Sequence, residues 1–367
     1  MTLGLSLIVD RSDIEHIASR PLLLSDESTP PEGSVLLGVE RFGFTANNLT
    51  YATFGEALGY WSFFPAPDGF GHIPVWGRAT VIGSGHPDVS EGTTYYGFMP
   101  MATHVLVAPT DTGRRGFTDG SPHRTAGAAV YNRYLDVAVD PFSAASPSPE
   151  LEVLLRPLFT TSFLLDAELA DAAWYGADAV VLTSASSRTA LGVAHLLRSR
   201  DAGPAVVGIT SPEHVADTES SDCYDRVLDY DDVARLPPGR TLVVDLSGDG
   251  SVVEDLHRHL GSHNVHSAIV GATHRNAPPV DTSNLPGPER EIFFAPHAAD
   301  ALRDRVGVEA VEAALIEAWS GFAAVMSDWL RVRTAKGVTR VCAAYRDVLD
   351  GARTPRDGWV MTLRDHA

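Results

Sequence analysis

Residues 184–190 read SASSRTA and join a short apolar run, AVVLT, to a helical one, ALGVAHLLR. A turn leading from a strand into a helix presents the helix's unpaired N–H groups, and the helix dipole adds partial positive charge there. Such a place holds phosphate. Where glycines usually let the backbone turn tightly against the anion, this chain has Ser186, Ser187, Arg188, Thr189 and Ala190. The hydroxyls can replace bare backbone as donors, Arg188 can pair bidentately with phosphate, and Ala190 is small enough for close helix–strand packing. The same letters fit an ordinary Ser-capped helix start with Arg on its surface.

The next apolar run, AVVGITS, ends in Thr210 and Ser211. Sites for NAD place an acid at this strand end to hold the ribose 2′-hydroxyl, whereas NADP needs room and donors for a 2′-phosphate. No acid stands here before Glu213, so the tip favours NADPH; Thr and Ser are also common helix caps. Elsewhere GYWSFFP at 59–65, with Trp76, Tyr95, Tyr96, Phe98 and Met99, offers aromatic surface for a flat apolar substrate. These rings equally fit a barrel core.

The elements that must carry these groups follow from pattern. The chain has 367 residues, 44% apolar and 20% charged, enough for a large core and more than one domain usually needs. SVLLGVERFGFT, IPVWGRATVIGSGH and GFMPMATHVLVAP are short apolar runs broken by Gly and Pro, the pattern of an antiparallel, barrel-like region. From Leu151 helical periodicity alternates with the buried runs ADAVVLT, AVVGITS, RTLVVDLS and VHSAIVGAT, which predicts a doubly wound parallel sheet. The stretch after Ala301 predicts two helices parted near Gly307. Residues 109–150, rich in Gly, Pro and Ser, read as a functional lid or a mobile insert.

Charge and cysteines narrow the partners. With 47 acidic and 28 basic residues the formal charge is -19, which repels nucleic acid and anionic membrane surfaces. Cys223 and Cys342 lack paired spacing, as expected of reduced thiols in a cytoplasmic protein. No basic leader precedes the apolar start, and no uninterrupted apolar run nears the ~18 residues of a bilayer span.

The order of these pieces resembles the medium-chain dehydrogenase/reductase superfamily, in particular its zinc-free quinone oxidoreductase branch. ANNLTYATFGEAL is similar to that branch's Asn-x-x-Asp segment, with Asn48 at the Asn and Tyr51 where Asp usually stands. WGRATVIGSGHPDVSEGTTYYGFMP keeps the family's glycine spacing at Gly77, Gly83, Gly85, Gly92 and Gly97, with Thr93 in place of an Asp. RPLFTTSFLL resembles the helix whose threonine approaches the nicotinamide, which implies Thr161; RVLDYDDV and the closing YRDVLDGARTPRDGWVMTL also look familial. Gly271 and Ala272 stand where the family's backbone meets the nicotinamide.

The resemblance implies an α/β fold: a GroES-like barrel domain from 1–150 and 301–367, with a Rossmann domain from 151–300. It implies NADPH-dependent, metal-free reduction of an enone, quinone or related carbonyl compound, with Tyr51, Asn48 and the neighbouring Tyr60 as donors to the acceptor, in a homodimer paired through Rossmann-domain edges. Gly71 and His72 superficially match the zinc enzymes' Gly-His-Glu, but one histidine without a nearby cysteine is too few ligands for zinc. Two other classes remain open: a lyase or hydrolase on the same fold using His104, His123 and Arg124, and a non-catalytic NADP-binding protein.

Overall fold

The computed structural model describes residues 3–23, 30–124, 128–271, 281, 284–351 and 354–364. The chain divides into two compact units, one formed by the described parts of 1–154, 331–353 and 357–367, the other by those of 155–330 and 354–356.

Among the described residues the first unit holds a nine-stranded, mostly antiparallel sheet. Strand Val35–Phe44 lies between Asp357–Thr362 and Pro74–Ser84, and Thr94–Pro100 follows. Alternation along Pro74–Ser84 sends Val75, Ala79 and Val81 inward, where they join Leu37, Phe42, Phe117 and Tyr345 in the core. The stretch 109–150 is not a loose insert. Strands Pro109–Gly113, Gly116–Asp119 and Arg133–Asp136 extend the same sheet from its Thr94–Pro100 strand.

The second unit is a parallel sheet with helices between its strands: β1 (Ala179–Thr183), β2 (Ala205–Thr210), β3 (Arg226–Asp229), β4 (Thr241–Asp245), β5 (Asn264–Ile269) and β6 (Arg290–Ile292), in the order β3-β2-β1-β4-β5-β6. Every residue of β1 and of β4 is buried, as expected of central parallel strands covered on both faces. Helix α1 (Pro149–Asp171) leads in, α2 (Arg188–Arg198) joins β1 to β2, and α3 (Gly250–Leu260) joins β4 to β5.

Two helices follow β6, α4 (Ala295–Val306) and α5 (Val308–Trp329), parted at Gly307, whose φ of 87° suits a residue without a Cβ. The expected boundary at 300/301 therefore moves to 330/331. Trp319 and Phe322 of α5 stack with Phe159 of α1, and Phe322 also meets His195 of α2, so this apolar face belongs to the second unit's core. By length and composition α5 is also apolar enough to cross a membrane. Glu309, Glu312, Glu317 and Asp328 lie along it.

Candidate functional site

The turn after β1 is built without glycine, yet it keeps a tight geometry. Ser184 takes a φ of 48°, in the left-handed region that non-glycine residues seldom enter. Ala185 N–H donates to Ile209 O at 3.0 Å, and Ser187 N–H to Ser184 O at 2.8 Å. Ser187 is the N-cap of α2, its hydroxyl accepting from Ala190 N–H at 3.3 Å, and Ala190 is fully buried.

What permits the close approach is a glycine on the neighbouring strand. A Cβ at Gly208 of β2 would stand 2.7 Å from the Ala185 Cβ and 2.9 Å from the Tyr224 ring. Tyr224 in turn donates its hydroxyl to Ala185 O at 2.8 Å. The space that glycine gives within a dinucleotide turn is here given from the strand beneath it.

The residues named from sequence are partly brought together. The Thr210 hydroxyl donates to Ser186 Oγ at 3.1 Å, joining the tips of β1 and β2. Ser211 precedes the short turn Pro212–His214 as its N-cap residue. Arg188 opens α2 and is half-buried, as is Thr189 behind it. Thr161 bonds to Pro157 O on its own helix at 3.3 Å, while its neighbour Ser162 reaches Thr189 O at 2.8 Å and is the α1 hydroxyl that meets the turn. Gly271 N–H lies 3.3 Å from Asp245 O, and Ala272 lies outside the described residues.

Sequence reasoning missed Asp245, at the end of β4. Its Oδ1 accepts from the Thr183 hydroxyl at 2.8 Å, the Ser247 hydroxyl at 2.8 Å and Ser247 N–H at 3.0 Å, and its Oδ2 pairs with Arg290 at 2.7 Å. The fully buried carboxylate thus ties the ends of β1 and β4 to the edge strand β6, with a guanidinium balancing its charge. An acid closing the apolar run TLVVD was the available signal. Above this floor, the α2 N-terminus, Arg188 and the Ser186–Thr210 hydroxyls form a donor set that fits a pyrophosphate, beside a β2 tip without an acid.

The first unit carries the other candidate residues. Helix Ala46–Thr53 opens with a capping box in which Asn48 Oδ1 accepts Thr45 N–H at 2.9 Å; the Asn48 amide also donates to Pro74 O at 3.0 Å. Both ends of that side chain fasten the helix to the sheet. Tyr51, three residues on, is buried, its ring 4.6 Å from Tyr60 and edge-on to Phe98 at 5.6 Å. Burial pushes its phenol far above the ordinary range, with the Tyr60 phenol adding to the effect.

Tyr60 is half-buried and its hydroxyl lies 3.0 Å from that of Tyr131, a residue the sequence reading did not single out. Tyr131 lay in the stretch read as an insert, where only the alternation of VYNRYLD hinted at a strand. Around the pair, Phe98 meets Tyr131 at 4.8 Å, Trp76 at 5.0 Å and Phe63 at 5.4 Å, and Trp76 stacks on Tyr96 at 5.5 Å.

Beneath these rings lies a buried ion pair. Arg124 Nη1 stands 3.2 Å from Asp119 Oδ2, with both side chains excluded from solvent. The guanidinium also donates to the carbonyls of Phe98 and Tyr131 and to Asn132 Oδ1, and it lies 4.9 Å from the Phe64 ring centroid. Asp119 accepts in addition from Ala108 N–H at 3.0 Å and the Ser121 hydroxyl at 2.6 Å. Arg124 is therefore committed to the scaffold. His104 Nδ1 lies 2.9 Å from the Thr103 hydroxyl, and burial lowers the pKa of the exposed-edge His123. His72 is buried with Nδ1 3.0 Å from Leu7 O, and burial lowers its pKa to about 4.

Barrel-like sheet and β3-β2-β1-β4-β5-β6 parallel sheet together define the fold of the medium-chain dehydrogenase/reductase enzymes, a GroES-like domain with a Rossmann domain. The chain itself belongs to the family described as protein of unknown function DUF2855, whose model matches residues 42–354. Among solved structures it is similar to CurA from Vibrio vulnificus in complex with NADPH, at 14% identity and a TM-score of 0.62, covering 98% of this chain and 99% of that one. It is similar also to a mutant form of enoyl thioester reductase from Candida tropicalis, at 11% identity and a TM-score of 0.57, covering 99% and 100%. The yhdH oxidoreductase from Salmonella enterica, in complex with NADP, matches at 15% identity and a TM-score of 0.54, covering 98% and 100%. No curated protein matches in sequence.

Proposed function

We propose that this protein is an NADPH-dependent, metal-free reductase of an enone, quinone or related carbonyl compound. The observation that carries the reading is the turn after β1. It keeps the left-handed residue, the helix N-terminus and the close strand approach of a dinucleotide site, with hydroxyls and Arg188 in place of glycine backbone. CurA and the yhdH oxidoreductase, which share the fold, are described in complex with NADPH and NADP.

Bound NADPH would supply the hydride; the chain supplies binding, orientation and a proton. Ser186, Ser187, Arg188, Thr189, Ala190 and the Gly271–Ala272 segment hold the nucleotide, with Ser162 bracing the turn beside Thr161. Thr210 and Ser211 select the 2′-phosphate. Of the phenols, Tyr60 is the donor to the acceptor, because Tyr51 is sealed in the core and Asn48 is occupied as a cap. The rings of Trp76, Tyr131 and Phe98 suit a flat apolar or aromatic carbonyl substrate.

A homodimer paired through the sheet edge is part of the same reading. Strand β6 is the last strand of its sheet, and Ile292 upon it is 78% exposed beside an exposed Phe294. Such an edge is a template for a second copy.

Fluorescence titration with NADPH and with NADH tests the cofactor. Saturable binding that favours NADPH and weakens about tenfold in Arg188→Ala is expected, the loss of one charge-assisted contact. Absence of binding by either nucleotide overturns the proposal.

A further inference from the structure

We propose that Tyr131 is a positioning residue that holds the Tyr60 hydroxyl as the proton donor of the reaction. The inference rests on the reductase reading and adds to it a residue that neither the family pattern nor the sequence assigned.

Geometry comes first. The two phenol oxygens are 3.0 Å apart, a direct hydrogen bond in which one must donate to the other. The Tyr131 ring is fixed on several sides, by Phe98 at 4.8 Å, Phe63 at 5.3 Å and Trp76 at 6.0 Å. Its backbone is fixed as well: the Arg124 guanidinium donates to Tyr131 O, and Arg124 and Asn132 bond reciprocally, side chain to side chain at 3.1 Å and amide to Arg124 O at 3.0 Å. Few surface loops present a phenol on so rigid a base. Tyr60, by contrast, opens a short turn after Gly59 and is anchored through its hydroxyl to Tyr131.

Burial raises both phenols, Tyr131 most, and Tyr51 disfavours charge on Tyr131 further, so both are protonated at neutral pH. The proposed role has Tyr131 as donor and Tyr60 as acceptor, an arrangement the 3.0 Å contact allows, with the Tyr60 proton directed elsewhere.

In the reduction of an enone, bound NADPH would supply the hydride that forms the C–H bond at the β carbon and would be left as NADP. The C=C electron pair moves toward the α carbon and the carbonyl oxygen, and the resulting enolate takes the proton of Tyr60. The Tyr60 O–H bond breaks, its electron pair stays on the phenol oxygen, and the Tyr131 O–H stabilises that charge until water returns a proton. A donor placed where charge develops lowers the barrier rather than strengthening ground-state binding.

The test uses the full chain labelled with carbon-13 at the tyrosine hydroxyl-bearing carbon. In Tyr131→Phe the Tyr60 resonance is expected to shift at neutral pH, and in Tyr60→Phe the Tyr131 resonance shifts reciprocally, so either folded variant reports the bond. With NADPH and a panel of enones and quinones, Tyr131→Phe is expected to lower kcat about tenfold with KM nearly unchanged, the loss of one hydrogen bond in the transition state. Tyr60→Phe lowers kcat about a hundredfold or more. A wild-type protein that oxidises NADPH with none of the panel overturns the reductase reading, and the positioning role with it. A working wild type whose Tyr131→Phe variant keeps its kcat, or whose Tyr60 resonance does not move, overturns the positioning role alone.

Discussion

The turn after β1 and the aromatic cluster of the first unit are built on opposite plans. The turn is one short run of sequence whose geometry comes from backbone: a left-handed Ser184, a capped helix and the bare Gly208 beneath Ala185. The cluster draws single side chains from distant segments, Tyr51, Tyr60, Trp76, Phe98 and Tyr131, and sets them over a buried Arg124–Asp119 pair. A backbone site tolerates changes of letter so long as space is kept. A side-chain site depends on whatever fixes its rings. The turn is accordingly tight with Ser, Arg and Thr in it and no glycine, and the aromatic cluster rests on a charged foundation.

Removing that foundation is the largest effect expected. Arg124→Met leaves Asp119 buried without its cation and withdraws the donor from Tyr131 O. Breaking a buried pair from one side costs about 3–5 kcal/mol. Urea unfolding should show the first unit destabilised by that amount while NADPH titration of the second changes little. Equal loss of nucleotide binding would erase the contrast between the two plans.

The next effect is acid sensitivity. His72 in the first unit is held to a pKa of about 4, against 6.5, by burial. The unfolded chain therefore binds a proton that the folded one refuses, and stability falls as pH drops from about 6.5, with the loss complete near 4. Integrated over that interval the term is about 3 kcal/mol. His72→Leu removes the titration but keeps an apolar side chain in the core. Stability curves of wild type and variant should run parallel above pH 6.5, and below it the wild type should fall by about 3 kcal/mol relative to the variant; parallel curves throughout would assign the acid sensitivity elsewhere.

The same contrast explains what the sequence could show. The order of strands and helices in the second unit was legible because β1, β2 and β4 are largely apolar runs separated by helical ones. Ser186 and Thr210 were legible singly, one in the turn after β1 and the other at the end of β2, but not the hydrogen bond that joins them. Helices α4 and α5 were assigned to the wrong unit, because what decides their place is Phe159, far back in the chain, receiving Trp319 and Phe322. Tyr131 was hidden for a similar reason. It lies in the short turn Ala129–Asn132, and the strand that follows, Arg133–Asp136, is only four residues long and pairs with Thr94–Pro100, a partner that Gly, Pro and Ser spacing does not reveal. Asn48 was named from the family segment alone, and its role as a cap depends on Thr45 and Pro74 together.

The smallest predicted effect bears most directly on how the turn after β1 stays tight without glycine. In Gly208→Ala the new methyl would come within 2.7 Å of the Ala185 Cβ and 2.9 Å of the Tyr224 ring, closer than such atoms pack. Overpacking of this kind costs about 1–3 kcal/mol. Because Tyr224 also holds Ala185 O, the strain falls on the turn itself, and NADPH affinity should drop together with stability. Ala185→Gly restores the space from the other side. Combined with Gly208→Ala it should recover the part of both losses that the Ala185 contact causes, the Tyr224 contact remaining, with a coupling of about 0.5–3 kcal/mol in the double-mutant cycle. Recovery would mean that the turn and β2 share one requirement for a missing Cβ, met at 208 in this chain and at 185 in the double variant. Additive losses would instead make Gly208 a need of the sheet alone, with the tightness of SASSRTA resting on Ser184 and the α2 cap.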